Sequence, residues 1–241
     1  EHVAEGLVTR ELQWRAGDAW DPRKVEKTQA NVFGLHLFRS VAVKPANLEA
    51  QSGVVDMAIT VSEGPRREVK IGVGYGTEDG VRGQIRWQHY DFLGGGRQLG
   101  FSVKGSQITQ EVAAEFRQPY FLSPQQTFVA PLTQERDEEP GFTNARVRFA
   151  PRVERRLLPD LHVAVGYNIE YDDTSNVKAG LEDFKASGFV SSVVGLLERN
   201  TTSDLLDPHD GSVVTASGEQ AGGPWGGDFS LYRVVLEAKK Y

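Results

Sequence analysis

Hydrophobic and polar residues alternate along most of this chain after residue 67. In residues 144–155 the apolar side chains fall on one side of an extended strand and the charged ones on the other. A period of two residues is typical of a β-strand with two different environments. The pattern predicts about ten strands, at residues 68–76, 82–91, 98–105, 111–118, 126–134, 144–155, 161–171, 188–199, 212–220 and 229–241.

Three features favour membrane strands over the strands of a soluble sandwich. Several of the predicted strands run for ten to twelve residues, which suits a tilted membrane strand of about 9–11 residues. Their polar side is rich in arginine and glycine, as a water-filled lumen allows. The links at one end (FLGGGRQ, SPQQ, LPD, LDPHDG) look shorter than those at the other (RDEEPGFTN, DDTSNVKAGLEDFKASG, EQAGGPWGGD), with TEDG as an exception. We therefore predict an antiparallel transmembrane β-barrel, with a soluble β-sandwich as the alternative.

Aromatic residues lie at strand ends on the proposed short-turn rim. Such rings suit a membrane interface because they combine an apolar body with a polar edge. The predicted interface aromatics are Tyr90, Phe92, Tyr120 and Phe121.

The first 66 residues have a different pattern. Residues 7–12 resemble the end of a helix, and Asp21 followed by Pro22 predicts a capped helix that continues to Leu35. Two alternating runs, 38–43 and 54–61, predict strands. The order is helix, helix, strand, strand, which indicates a small α+β module that lacks its first element.

Composition excludes several classes of protein. The net charge of −6 argues against nucleic acid as a partner. The chain has no cysteine, and no histidine pair has metal-ligand spacing. No apolar run approaches the length of a transmembrane helix, and no signal peptide is visible at the first residue given.

No motif supports an enzyme, a cofactor or a metal site. The Gly-x-Gly-x-Gly string at 72–76 has no helix after it, as a dinucleotide fingerprint requires. The strongest charge cluster is a basic face at Arg146, Arg148 and Arg152. It suits either a structural network with carboxylates of neighbouring strands or a polar wall along which a polypeptide passes.

Several strings in the right order resemble the BamA/TamA family of bacterial surface antigen proteins. ELQWRAGDAWDPRKVEKTQANVFGLHLFRSVAV resembles a POTRA domain. It departs from the family pattern in two places: Trp20 stands at the aromatic position after the GD pair, and GLHLFRSV stands where the family has L-G-L-F-x-x-V before a strand. VSEGPRREVKIGVGYGTEDGVRGQIRWQHYDFLGGGRQL resembles the junction into that family's barrel, and EFRQPYF its fourth strand. RNTTSDLLDPHDG resembles a periplasmic turn, with Asn200 where aspartate is usual. The TamA-like branch looks closer than BamA.

The resemblance implies a fold and an activity. Residues 1–66 would form a periplasmic POTRA domain and 67–241 the first part of a sixteen-strand outer-membrane barrel of a Gram-negative bacterium. The implied activity is insertion of outer-membrane proteins or translocation of polypeptides, without catalysis. The implied partners are outer-membrane lipid, unfolded barrel or secreted polypeptides, and a periplasm-spanning protein or lipoprotein.

The resemblance also implies two sites. Extended segments would add to the edge strand formed by Phe38, Arg39, Ser40, Val41, Ala42 and Val43. A lateral gate would open at the first barrel strand, at Val69, Ile71, Gly72, Val73, Gly74, Tyr75 and Gly76.

Ten strands do not close a sixteen-strand barrel, so we expect the chain to be a fragment that lacks the later strands and the first POTRA strand. Two further functions stay open. One is a dedicated two-partner secretion transporter, and the other is the barrel module of a larger fused enzyme.

Overall fold

A computed structural model describes residues 5–46, 54–178, 187–202 and 209–241. The chain divides into two compact units. The first comprises Glu1–Glu68 with Gln88–Gln98, and the second comprises Val69–Trp87 with Leu99–Tyr241. No sequence pattern indicated that the second segment, 88–98, joins the first unit.

Two helices open the first unit, α1 (Glu5–Arg10) and α2 (Pro22–Phe33). Asp21 caps α2 as predicted, because its side chain accepts a hydrogen bond of 3.0 Å from the Arg23 N–H. The side chain of Arg23 also donates to this carboxylate, and together these bonds lower the pKa of Asp21. The predicted continuation to Leu35 is wrong, since the helix ends at Phe33 and His36 has a left-handed backbone with φ 59°.

A two-stranded antiparallel sheet, β1 (Phe38–Pro45) and β2 (Met57–Glu63), completes this part of the unit. The predicted strand at 54–61 begins three residues later than expected. Apolar side chains of the helices, of β1 and of the link between α2 and β1 form the small core: Leu7, Val32, Leu37, Phe38 and Val43.

Residues 88–98 pack against the end of this module. The Tyr90 N–H donates to the Arg66 carbonyl at 2.7 Å, and its hydroxyl donates to the Glu68 carboxylate at 3.1 Å. The His36 and Tyr90 rings lie 6.0 Å apart between centroids. These contacts explain why the segment belongs to the first unit.

Within the described residues a second, larger antiparallel sheet contains eleven strands. They are β3 (Arg67–Gly76), β4 (Gly80–Tyr90), β5 (Gln98–Gly105), β6 (Thr109–Pro119), β7 (Gln126–Glu139), β8 (Phe142–Phe149), β9 (Arg152–Leu158), β10 (Leu161–Ser175), β11 (Ser187–Asn200), β12 (Ser212–Ala221) and β13 (Leu231–Lys240). Neighbours in sequence are neighbours in the sheet, except that β8 and β9 both lie between β7 and β10. β3 and β13 are the two end strands.

The predicted strand at 144–155 is interrupted at Ala150 and Pro151, which separates β8 from β9. The pairing register nevertheless continues across the gap on both sides, since Phe149 and Arg152 pair with Ile169 and Gly166 of β10. Proline has no N–H to donate, so regular pairing stops there without a change of face. The difference between ten predicted strands and eleven observed ones is this single proline.

The predicted difference in link length between the two ends of the sheet is wrong. RDEEPGFTN is strand apart from residues 140–141, because β7 and β8 stay paired out to Glu139 and Phe142. One end has links at 91–97, 120–125, 159–160 and 201–211, and the other has links at 77–79, 140–141, 176–186 and 222–230. Each end therefore has short and long links. Parts of the predicted links at 179–186 and 203–208 lie outside the described residues.

The two faces of the larger sheet differ as the alternation predicted. One face carries exposed apolar side chains on strand after strand: Val112, Leu132, Val147, Phe149, Val165, Ile169, Phe189, Leu197, Val234 and Leu236. The other carries most of the charged residues. In the part of the chain that the structure describes, no helix is both long and apolar enough to cross a membrane.

Candidate functional site

The predicted gate strand, β3, is an end strand of the large sheet. Its outward side chains are the most exposed apolar residues of the early strands: Val73 is 88% exposed, and Ile71 and Tyr75 are 73% exposed. A terminal strand keeps hydrogen-bonding groups available along one edge. β3 therefore combines an apolar face with a pairing edge.

The glycines of β3 lie beneath long polar side chains of β4. A Cβ atom at Gly72 would lie 3.0 Å from the Gln84 side chain, and one at Gly74 would lie 3.0 Å from Arg82 Nε. Gly72 and Gly74 thus leave the space that two β4 side chains occupy. The sequence showed the glycines but not the side chains that cover them.

These glycines share the charged face of the sheet. Gly72, Gly74 and Arg82 line a hollow of about 500 Å³ together with Lys104 of β5. Lys104 Nζ lies 2.9 Å from the Glu111 carboxylate of β6. Glu111 pairs with Glu135, which pairs with Arg146, so strand register carries this face across to β8.

The predicted basic face is paired with carboxylates. Arg146 Nε donates to Asp172 Oδ1 at 2.8 Å and lies 3.6 Å from Glu170 Oε1. Arg148 Nε donates to Asn168 Oδ1 at 2.8 Å and lies 3.5 Å from Glu170 Oε2. The two arginines of β8 are therefore bonded or ion-paired to three side chains that lie on one face of β10 at every second residue, Asn168, Glu170 and Asp172.

Arg152 continues this network one step further along the sheet. Its Nε donates to Glu154 Oε1 at 2.8 Å, and Arg117 of β6 reaches the same carboxylate at 3.4 Å. The arginines could be named from the sequence because they share one strand. The partners of Arg146 and Arg148 come from β10, and only the register of the folded sheet identifies them, whereas the acceptor of Arg152 is Glu154 of its own strand.

The predicted edge strand forms most of β1, which pairs with β2 on one side. The Val43 N–H points the other way, toward the Gln29 side chain of α2 at 3.5 Å. A groove of about 290 Å³ runs here between helix and strand, lined by Glu26, Gln29, Ala30, Phe33 and Val41. The outer edge of β1 thus faces a half-apolar groove.

The predicted interface aromatics lie in and beside two turns. Tyr90 is held by the first unit as described above. Phe92 lies 5.6 Å from the His89 ring, and Phe121 lies 5.2 Å from the Phe128 ring. Tyr120 has a left-handed backbone with φ 56°.

Sequence analysis missed a polar cluster on the apolar face. The Tyr167 hydroxyl donates to the Trp225 carbonyl at 2.9 Å and is hydrogen-bonded to Ser191. The loop after β12 folds back to this position. Its Asp228 N–H donates to the carbonyl of Phe189, near the start of β11, at 2.8 Å. The left-handed glycines of GGPWGG were the available signal, but they did not say where the loop folds.

Comparison with known proteins identifies the family. The Omp85 superfamily domain matches residues 91–241. The outer membrane protein assembly factor BamA of Neorickettsia risticii (strain Illinois) is 22% identical over 241 residues, which cover 96% of this chain and 32% of that protein.

Two solved structures share the fold. The crystal structure of Haemophilus ducreyi BamA lacking POTRA domains 1–3 matches with a TM-score of 0.72 at 15% identity, over 98% of this chain and 48% of that one. CdiB from Acinetobacter baumannii matches with a TM-score of 0.57 at 12% identity, over 99% of this chain and 46% of that one.

The chain spans about a third of the length of the curated relative and about half of each solved chain. The TamA-like branch stays a prediction. The superfamily domain covers more than half of the chain, and the charged and apolar faces of the sheet agree with it. This chain therefore belongs to the Omp85 superfamily, as an outer-membrane β-barrel protein of the BamA/TamA family.

Proposed function

We propose that this chain belongs to an outer-membrane machine that inserts outer-membrane proteins or translocates polypeptides, with a lateral gate at β3. The observation that carries the proposal is that β3, an end strand of the described sheet with exposed apolar side chains, has glycines at 72 and 74 on its other face, whereas the other end strand, β13, contains no glycine. An incoming β-strand could pair with this edge and present its own apolar residues to lipid at the same time. No bond of the substrate is made or broken, so the proposed activity needs no catalytic residue and no cofactor.

The second element of the proposal is strand addition at β1. We assign residues 1–66 to a periplasmic POTRA domain that precedes the barrel portion at 67–241. The Val43 N–H points away from β2, and N–H groups two residues apart in a strand point the same way, so Val41 presents its own N–H on that side. An extended segment could bond the Val41 N–H, replace the Gln29 side chain as acceptor of the Val43 N–H, and place apolar side chains near Phe33, which is 54% exposed.

The two elements suggest an order of events. An extended substrate would first bind the edge of β1 in the periplasm and then pair with β3 in the membrane. The substrates would be unfolded barrel chains or secreted polypeptides, and a lipoprotein or a periplasm-spanning protein is a further candidate partner.

Site-specific photocrosslinking in the full-length protein tests both elements. A photoreactive residue at Ile71 of β3 should crosslink an unfolded barrel substrate during its insertion into liposomes. The matched control is Val165 in the middle of the sheet, which is also an exposed apolar residue. For the periplasmic step, Ser40 of β1 should crosslink more strongly than Thr60 of β2.

Equal crosslinking from Ile71 and Val165 would overturn the gate, and equal crosslinking from Ser40 and Thr60 would overturn the edge-strand role. If depletion of the protein in cells affected a single secreted polypeptide, a dedicated secretion transporter would replace general assembly as the function. Water-soluble, monomeric behaviour of the full-length protein would contradict every version of the proposal.

A further inference from the structure

The turn at 120–125 has an unusual backbone. Tyr120 and Leu122 both have left-handed conformations, with φ 56° and 59°, on either side of Phe121. The Phe121 N–H closes the turn by donating to the Gln126 carbonyl at 3.0 Å. The side chain of Leu122 is 86% exposed.

The turn at 91–97 is built in the same way. Asp91 and Leu93 are left-handed, with φ 57° and 59°, on either side of Phe92. The Phe92 N–H donates to the Arg97 carbonyl at 2.8 Å, and Leu93 is 77% exposed. Two turns at the ends of β4 and β6 thus present a leucine at the same position.

Leucine is a poor choice at such a position for two reasons. A left-handed backbone brings its Cβ close to the neighbouring carbonyl, and glycine or asparagine adopts this conformation at lower cost. Exposure to water adds a second cost for an apolar side chain. Backbone strain that recurs at an exposed apolar residue indicates that the side chain has a use outside the described structure.

The surroundings of Leu122 indicate what covers it. The preceding Phe121 packs on Phe128 at 5.2 Å between ring centroids. Phe128 pairs with Val153, and Val153 pairs with Val165, so this ring begins the exposed apolar face of the sheet. The turn is therefore continuous with the face that meets lipid.

The charged groups around Leu93 also indicate that its side chain meets an apolar environment. The only carboxylate of its turn, on Asp91, is buried and accepts a hydrogen bond of 2.8 Å from the Gly96 N–H. Residues 93–96 are Leu-Gly-Gly-Gly, and residues 120–125 are Tyr-Phe-Leu-Ser-Pro-Gln. The turn at 120–125 has no charged side chain, and in the turn at 91–97 the one cation, Arg97, donates to the Leu93 carbonyl at 3.2 Å.

We propose that Leu93 and Leu122 each insert into the boundary between headgroups and acyl chains of the adjacent membrane leaflet, and so fix the ends of β4 and β6 at the membrane surface. An apolar side chain beside aromatic rings is the composition that binds this boundary. The inference requires that the sheet spans the membrane, but it does not depend on the gate at β3.

Fluorescence quenching by lipid tests the proposal in the full-length protein. A single cysteine is introduced at residue 122, 93, 165 or 133, labelled with an environment-sensitive dye, and reconstituted in phosphatidylcholine liposomes. The segment described here has no cysteine of its own. Lipids brominated near the headgroup then report contact. Position 165 is the lipid-facing control, and Thr133, which pairs with Arg148 on the charged face, is the lumen control.

Labels at 122 and 93 should lose about as much fluorescence as the label at 165, as expected for side chains at the interface. Loss no greater than at 133 would overturn the inference. If the label at 165 also stayed unquenched, the membrane-spanning sheet itself would be wrong, so the two failures are distinguishable. A change in dye emission that occurs only after a second protein is added, without quenching by the brominated lipid, would show that the leucines bind protein rather than lipid.

The variant Leu122→Asn gives an independent test, because a structural role and a lipid contact predict opposite changes in the urea midpoint of unfolding. Asparagine tolerates the left-handed backbone, so a purely structural role predicts a higher urea midpoint of unfolding. Loss of a lipid contact predicts a lower midpoint in liposomes, by about 0.3–1 M. Leu93→Asn should shift the midpoint in the same direction, and an increase for both variants would overturn the proposal.

Discussion

The charged face of the large sheet is built differently in its first strand and in its middle strands. In β8–β10, Arg146, Arg148 and Arg152 are each bonded to an acceptor at 2.8 Å, on the same or a neighbouring strand. In β3 the same face carries glycine at 72, 74 and 76, and Gly72 and Gly74 are covered by side chains that reach over from β4. Within the described sheet β3 also has a strand neighbour on one side, whereas β10 has neighbours on both.

If β3 is the proposed gate, this difference separates the part of the sheet that keeps its register from the part that would change it. Side-chain bonds across strands oppose any slip between them, because slipping by one residue moves every side chain to the other face. A strand with glycines on one face has fewer such bonds to break. We therefore expect β3 to open at a lower free energy than β8 or β10.

The largest effect should follow from removing the centre of the network. Arg146→Ala leaves Asp172 and Glu170 facing each other without their shared cation, and we expect a loss of about 1–2 kcal/mol in the free energy of unfolding. Urea unfolding of the full-length protein in liposomes measures this loss.

Arg199→Ala is the matched control for that experiment. Arg199 also donates to a carboxylate at 2.9 Å, but its partner Asp160 lies in the turn between β9 and β10, and the Arg199 side chain is 62% exposed against 40% for Arg146. Its bond lowers the pKa of Asp160, yet exposed pairs contribute little to stability. Equal losses for the two variants would contradict the special role of the network.

A smaller effect on stability but a clear effect on function is expected from the glycines of β3. The double variant Gly72→Val, Gly74→Val should hamper substrate insertion more than it hampers folding, with unfolding within about 1 kcal/mol of wild type. Gly218→Val in β12 is the control, since a Cβ atom there would meet open space. Insertion in liposomes and heat-modifiable gel migration separate the two readouts.

The structure adds a second way to read the glycine variants. If Gly74 is needed only to leave space for the Arg82 side chain, the double variant Gly74→Ala, Arg82→Ala should insert substrate as well as wild type does. If the strand must be pliable, Arg82→Ala will not restore insertion to the alanine variant. We expect no restoration, and full restoration would reduce the glycines to a packing role.

The smallest effect is expected in the first unit, where the Asp21 carboxylate caps α2. The pKa of Asp21 is lowered in the folded protein, so its contribution is present above the ordinary carboxyl pKa and is lost as pH falls through the lowered value. Amide exchange in α2, compared at each pH with that of Asp21→Asn, measures this. Asparagine caps a helix but does not titrate, so the wild type should lose protection on acidification relative to the variant. Parallel behaviour of the two proteins would contradict the assignment.

Much of the fold could be predicted because alternation is a local property. The faces of β8 and β10, the cap at Asp21 and the strand positions all follow from residues within one element. The link at RDEEPGFTN was misjudged because its charged residues suggested a loop, whereas pairing between β7 and β8 continues through them. Polarity alone does not end a strand whose hydrogen bonds are satisfied.

The sites depended on contacts that local patterns do not contain. Arg146 could be named, but Asp172 could not be assigned to it without the register between β8 and β10. Gly74 could be named, but its neighbour Arg82 lies across a hairpin. The left-handed leucines had no signal at all, because Leu93 and Leu122 are not residue types that sequence rules place in that conformation.

Hydrogen–deuterium exchange of the full-length protein in lipid nanodiscs tests the central claim most directly. The account predicts that amides of β3 exchange faster than those of β8 and β10, and that an unfolded barrel substrate slows exchange in β3 alone. Exchange in β3 as slow as in β10, and unchanged by substrate, would contradict it.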